Sequence, residues 1–208
     1  MKGLTIAVPR GALFADTLDL LDALDLDTAE VRRNDRRLLF ADVGVVTMRP
    51  SDVPTYVEAG AADVGITGKD VLTEQAERTV YELLDLGYGA CRMVLATVEG
   101  PDPSAEALRR LGVMRVATKY PKTAAAFFEH TGRQAEIVEV KGSVELAPLT
   151  GLVEAIVDLT ATGTTLRENN LVIREDLFTS TARLIANPVA HTLKADAIDA
   201  MLEKLRAP

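Results

Sequence analysis

AIVDLTATGTTLREN, residues 155–169, passes from an unbroken apolar run through a lone carboxylate into four threonines grouped around one glycine. The order predicts a buried strand, Ala155 to Leu159, that turns into a helix starting near Thr165, since threonine caps a helix start and glycine permits the tight turn. The same strand, loop and helix unit recurs along the chain. Strand-like apolar runs are predicted at Leu4 to Val8, Val43 to Thr47, Asp63 to Ile66, Met93 to Thr97, Arg115 to Thr118 and Glu136 to Val140. Helical patterns are predicted at Ala12 to Leu24, Val53 to Ala59, Lys69 to Glu77, Ala105 to Leu111, Thr123 to Thr131 and Lys194 to Leu205. Such alternation implies an α/β architecture with mostly parallel sheets. Ser51 and Asp52 precede one predicted helix and Ser104 another, where caps belong.

A weak internal echo suggests how these units are grouped. Gly112-Val-Met-Arg-Val-Ala-Thr118, a strand that meets Lys119, repeats the plan of Gly3-Leu-Thr-Ile-Ala-Val-Pro-Arg10. Two halves built alike, each with a basic residue at the end of its first strand, suggest two lobes facing one cleft. Open α/β sheets bind ligands at such strand ends. The turn-rich segment 98–104 is too short to link independent domains.

Composition narrows the function. The 208 residues are 48% apolar and 26% charged, as in a soluble globular protein, with no apolar run long enough to span a membrane. MKGLTIAVPRG at the N-terminus reads as a first strand without a secretory cleavage site, so a cytoplasmic location is expected. A single cysteine, Cys91, excludes an internal disulfide and reads as a small buried residue, and two histidines, His130 and His191, exclude a transition-metal cluster. The net charge of −8 repels nucleic-acid backbones, and no basic stripe offsets it. Any polyanionic ligand must meet a few cations focused at one place.

The loop that follows Asp158 has the chemistry for such a ligand. A helix beginning near Thr165 leaves backbone N–H groups unpaired at the positive end of its dipole. Gly163 lets an anion approach the backbone, and Thr160, Thr162, Thr164 and Thr165 add hydroxyls, with Ala161 completing the turn. A terminal phosphate fits; a plain capped helix explains the same residues. Asp158 suits a neighbouring sugar diol, or a Mg2+ bound there, rather than the phosphate itself. The P-loop pattern GxxxxGK[ST] is absent.

Taken together, Glu154-Ala-Ile-Val-Asp-Leu-Thr-Ala-Thr-Gly-Thr-Thr-Leu166, Gly142-Ser-Val-Glu-Leu-Ala-Pro148 and Gly151-Leu152 resemble the signature of the ATP phosphoribosyltransferases of histidine biosynthesis. Asp52-Val-Pro-Thr-Tyr-Val57, Asp63-Val-Gly-Ile-Thr-Gly-Lys-Asp-Val-Leu72, Gly89-Ala-Cys-Arg-Met93 and Ala117-Thr-Lys-Tyr-Pro121 agree in order and spacing, so the likeness spans essentially the whole chain. Thr162 stands where that family often has serine, and the chain stops where the family's long form adds a regulatory domain, so it resembles the short form.

The resemblance implies two periplasmic-binding-protein-like (type II) lobes, with mixed, mostly parallel sheets and a cleft between them. Residues 1–90 plus 179–208 would form the first lobe and 91–178 the second, with crossovers near Leu86 to Arg92 and Arg174 to Thr181. It implies transfer of the 5-phosphoribosyl group of 5-phosphoribosyl-1-pyrophosphate to N1 of ATP, with Mg2+ as cofactor. Asp158 to Thr165 would then hold the ribose 5-phosphate, and Arg36 and Arg49 the pyrophosphate. Arg10, Lys119, Gly142, Ser143 and Glu145 are further candidates for lining the cleft. The implied partner is a regulatory subunit resembling histidyl-tRNA synthetase, in a hetero-octamer built on homodimers of this chain. Three rivals share these features. A solute receptor has the same architecture, and a cytoplasmic ligand sensor would bind nucleotide without turnover. A salvage phosphoribosyltransferase would carry two adjacent acidic residues before the threonine loop, whereas Asp158 is followed by Leu159.

Overall fold

The structure, a computed structural model, describes residues 3–206. The chain divides into two compact units, one formed by residues up to Gly89 and from Thr181 on, the other by Ala90–Ser180. The first begins with β1 (Ile6–Pro9), α1 (Phe14–Ala23), α2 (Ala29–Arg33), β2 (Leu39–Phe40) and β3 (Val45–Met48). A 3-10 turn (Pro50–Asp52) leads into α3 (Val53–Glu58), β4 (Val64–Gly68), α4 (Lys69–Glu74) and β5 (Tyr81–Asp85). The second unit holds β6 (Cys91–Val98), α5 (Pro103–Leu111), β7 (Met114–Thr118), α6 (Pro121–His130), β8 (Ala135–Glu139), α7 (Leu146–Leu149), β9 (Ala155–Thr160), α8 (Thr164–Glu168) and β10 (Leu171–Ser180). Returning to the first unit, the chain adds β11 (Ala182–Ala186), α9 (Pro188–Leu193) and α10 (Ala195–Arg206).

Both sheets are mixed, and they share one plan. Their strand orders are β2-β3-β1-β4-β11-β5 and β10-β6-β9-β7-β8. Each contains a parallel trio, β3-β1-β4 or β8-β7-β9, extended on one side by an antiparallel strand, β11 or β6, and then by a strand, β5 or β10, that pairs antiparallel to it and so runs with the trio. The echoed segments supply β1 and β7, which occupy the central place in the two trios.

The parallel trios are the parts that the apolar pattern announces. β1, β4 and most of β9 are buried at every residue, as expected of parallel strands covered on both faces. One face of the first sheet packs Ile6, Val8 and Ile66 against Leu18 and Leu21 of α1 and Ile198 and Met201 of α10. The other packs Ala7 and Ile185 against Val53 and Val57 of α3. In the second unit Val116 and Val157 meet Ala124 and Phe128 of α6, while Ala117 and Ile156 meet Val144, Ala147 and Leu166 on the other side.

Strands β5, β10 and β11 and helices α2 and α9 escape the periodic reading. β10 carries Arg174, Glu175 and Asp176 in its middle and is paired to β6 with two register shifts, so neither a continuous apolar run nor a clean alternation marks it. Two expected caps are corrected. Asp102, not Ser104, caps α5: its carboxylate accepts from the N–H groups of Ser104 at 2.9 Å and Ala105 at 3.3 Å, ahead of Pro103 at the first helical position. Asp52 does hold the N-cap position of α3, but it lies with Ser51 in the 3-10 turn and no side-chain cap bond starts the helix. Cys91 opens β6 and is half-buried rather than buried. Among the described residues no helix is long and apolar enough to cross a membrane.

Close approach of α3 to the sheet depends on Gly65. A Cβ there would lie 2.6 Å from Val53 Cγ1 and 2.8 Å from Val57 Cγ2. Gly65→Ala is therefore expected to destabilise the fold by about 1–3 kcal/mol, the usual penalty of overpacking. A denaturant midpoint equal to that of the parent would show that α3 moves off β4 without cost.

Candidate functional site

In the second unit the carboxyl ends of β7, β8 and β9 bring the candidates together, the place where open α/β sheets bind ligands. Thr118 of β7 is level with Val157 of β9, so Lys119 emerges beside Asp158, with its Nζ 3.7 Å from Asp158 Oδ1. Thr118 is also level with Glu139 of β8, after which the chain turns through Gly142, Ser143 and Glu145. Gly142 and Ser143 are exposed, and Ser143 adopts φ +49°, a left-handed conformation uncommon outside glycine.

Asp158 is 7% exposed, and its Oδ1 accepts the Leu159 N–H at 2.8 Å. Burial pushes its carboxyl above the usual aspartate range; the Lys119 charge and the Leu159 N–H pull it down, and Glu145 adds to the rise. A buried carboxylate with one partly exposed ammonium is under-compensated. It is therefore suited to accept hydrogen bonds from a neutral polar ligand.

The threonine loop is held by its own hydroxyls. Thr160 Oγ1, buried, accepts the Gly163 N–H at 2.8 Å, and the hydroxyls of Thr162 and Thr164 pair at 2.9 Å. Gly163 sits at φ +73° immediately before α8, in the left-handed region that glycine reaches without strain. Ala161 and Thr165 are exposed. Arg167, which the sequence reading did not single out, completes the loop: it donates to the Thr162 carbonyl at 2.9 Å and to Thr164 Oγ1 at 3.0 Å. The available signal was its place three residues after Thr164, a spacing that returns a side chain to the start of its helix.

Cations also gather at strand ends in the first unit. The Arg10 N–H donates to the Met48 carbonyl at 2.7 Å, extending the β1–β3 pairing, so Arg10 and Arg49 leave the sheet side by side. Arg49 is exposed, in extended conformation before Pro50. Arg36 lies in a bend where Asn34 Oδ1 accepts the N–H groups of Arg36 and Arg37 at 3.2 and 3.0 Å.

The structure separates Arg36 from its neighbours in the charged run 32–37. Arg32 pairs with Asp19 and Asp22, and Arg33 donates to the Ala29 carbonyl. Arg37 pairs with Glu30 and donates to the Leu39 carbonyl at 2.8 Å. The exposed Arg36 side chain makes no hydrogen bond or ion pair among the described residues, and the same holds for Arg49. Both guanidinium groups are thus available to an anion. Arg10, in contrast, is engaged: it donates to Thr47 Oγ1 and to the carbonyls of Asn34 and Arg37, and pairs with Asp35.

Comparison with known proteins identifies what these features accompany. The family model described as HisG, ATP phosphoribosyltransferase, matches residues 49–207. A protein named ATP phosphoribosyltransferase from Rubrobacter xylanophilus is 56% identical over 97% of this chain and 94% of its own length. Its namesake from Symbiobacterium thermophilum is 47% identical over 99% and 95%. Among solved structures, the ATP phosphoribosyl transferase (HisG:HisZ) complex from Thermotoga maritima contains a chain that superposes with a TM-score of 0.81 at 35% identity, covering 98% of this chain and 96% of that one. The periplasmic aliphatic sulphonate binding protein SsuA from Escherichia coli gives 0.63 at 14% identity, over 97% of this chain and 70% of its own, a likeness of fold alone.

Proposed function

The chain belongs to the ATP phosphoribosyltransferase family, the transferases of histidine biosynthesis, and from that membership we propose that it joins N1 of ATP to C1 of 5-phosphoribosyl-1-pyrophosphate. The adenine N1 lone pair forms the new bond while the C1–O bond breaks, and its electron pair leaves with pyrophosphate. The step builds positive charge on the ribose and negative charge on the leaving group. The protein's work is therefore to position the substrates and neutralise pyrophosphate, and a general base is not required.

The observation that carries this reading is the buried Asp158 at the threshold of a loop already shaped by Thr160, Gly163 and Arg167. A carboxylate accepts two hydroxyl hydrogens from the ribose diol, while the loop's backbone and hydroxyls receive the 5-phosphate. Lys119 adds a cation beside them, and the turn at Gly142, Ser143 and Glu145 borders the same place. Arg36 and Arg49 are the guanidinium groups available to pyrophosphate, whose oxygens match their planar fork.

Among the described residues no cluster of three or more His, Cys, Asp or Glu side chains could hold a metal ion. The buried carboxylate of Asp158 would be the protein's ligand to a Mg2+ held chiefly by substrate. Bound with the diphosphate, Mg2+ would neutralise part of its charge.

The Thermotoga maritima relative was solved as a HisG:HisZ complex. We propose that this chain likewise acts as a catalytic subunit beside a separate regulatory one; the family resemblance adds that it works in the cytoplasm, in a hetero-octamer whose regulatory subunit resembles histidyl-tRNA synthetase and reads histidine. The deciding assay supplies ATP, 5-phosphoribosyl-1-pyrophosphate and Mg2+, with and without that subunit, and follows the ultraviolet absorbance of N1-substituted adenine. Product that depends on both substrates is expected. Ligand binding without product under either condition would make the protein a receptor or sensor.

A further inference from the structure

Arg10 stands in the middle of the first unit's cation group, yet its donors face the protein. Nε donates to Thr47 Oγ1 at 3.0 Å, and Nη1 donates to Asp35 Oδ1 at 3.3 Å. Nη2 donates to the Asn34 carbonyl at 3.2 Å and the Arg37 carbonyl at 3.0 Å. The guanidinium also lies over the Phe14 ring, 5.1 Å from its centroid. With five N–H groups in all, the fork has four of these bonds to the protein and little left for a ligand.

The pattern of acceptors is informative. Asn34, Asp35 and Arg37 bracket Arg36, whose own side chain is exposed and unengaged among the described residues. The bend is also held by the Asn34 side chain, by the Asn34 N–H to the Glu30 carbonyl and by the Arg37 contacts to Glu30 and Leu39; just past it the Leu38 carbonyl accepts the Thr47 N–H at 2.8 Å, and the bend joins a five-residue helix to a two-residue strand. Thr47, the remaining acceptor, lies on β3 two residues before Arg49. One rigid planar group thus ties the segment carrying Arg36 to the strand ends from which Arg10 and Arg49 emerge.

We infer that Arg10 is a positioning residue that holds the Asn34–Arg37 bend so that Arg36 meets the leaving group, an inference that rests on the pyrophosphate role given to Arg36. Lysine at this position keeps the charge but replaces a fork by a single nitrogen, which cannot reach Thr47, Asp35 and two carbonyls together. Misplacement of an aligned group by about 1 Å costs on the order of 100-fold in rate.

The test is a double-mutant cycle on the full chain with the regulatory subunit present, measuring kcat and KM for both substrates in Arg10→Lys, Arg36→Ala and the double variant. Arg10→Lys is expected to lower kcat by roughly 10- to 100-fold, with KM for ATP unchanged, and to cause no further loss once Arg36 is alanine. Thr47→Val, which removes one acceptor and keeps the charge, is expected to show a smaller loss that likewise disappears in the Arg36→Ala background. If Arg36→Ala lowers kcat and the Arg10→Lys factor simply multiplies it, Arg10 acts independently of Arg36 and the inference is overturned. Unchanged kcat in Arg36→Ala alone would instead remove the pyrophosphate role of Arg36, and the positioning role with it. Thr47→Val remains informative should Arg10→Lys fail to fold.

Discussion

Asp158→Asn is expected to lower kcat/KM for 5-phosphoribosyl-1-pyrophosphate by about 100-fold without weakening the fold. A hydrogen bond to a charged acceptor contributes about 1.5–3 kcal/mol, and a ribose diol would lose two of them in part, since the amide offers one oxygen and no charge. A net loss near 3 kcal/mol corresponds to roughly a hundredfold. Stability should move the other way. Because burial raises the folded-state value of this carboxyl, its contribution to stability is fully present at low pH and is lost as pH rises through that raised value. At neutral pH the parent therefore bears a cost that asparagine lacks. The melting temperature of the variant should equal or exceed the parent's at pH 7, and the difference should shrink below about pH 3.5, where aspartate is protonated in both states. Unchanged kinetics would take Asp158 out of the site, and a lower melting temperature at pH 7 would make it a structural residue.

Arg49→Ala should act on turnover instead. Removing one preorganised charge-stabilising donor typically costs 100- to 1,000-fold in kcat, or about 3–4 kcal/mol. Arg49 is exposed and makes no hydrogen bond or ion pair among the described residues, so folding stability should change by no more than about 0.5 kcal/mol. Arg49→Lys should recover part of the rate by restoring charge without the bidentate fork. A variant with parental kcat would assign Arg49 to the solvated surface. Asp158→Asn and Arg49→Ala together separate two effects, ribose capture and leaving-group stabilisation.

What could be read from the sequence follows the range of the interactions involved. Strand β9, the turn at Gly163 and the carboxylate at 158 are local features, and so are legible: an apolar run, a glycine and threonines in succession define them. β10 is invisible to the same reading because its charged middle is supported by pairing with β6, more than seventy positions away in sequence. Arg36 and Arg37 look alike as letters. Only the placement of Glu30 and the Leu39 carbonyl commits Arg37 to the protein and leaves Arg36 to solvent. Likewise Arg10 reads as a cation at a strand end, while its partners lie 24 to 37 residues further on. Arg167 was within local reach, had the return of a side chain over one helical turn been applied to it.

The place of β11 bears on how the protein is made. The second unit is continuous in sequence, but the sheet of the first needs β11 between β4 and β5, and β11 is drawn from beyond residue 180. On the ribosome, β5 has no strand to join until residues 182–186 have emerged, and β4 keeps an open edge for the same interval. Synthesis therefore reverses the usual N-to-C order of domain completion, because the part translated first is the part finished last. An apolar strand with an unpaired edge is the hazard in a nascent chain, and β4, fully buried once mature, waits longest for its neighbour.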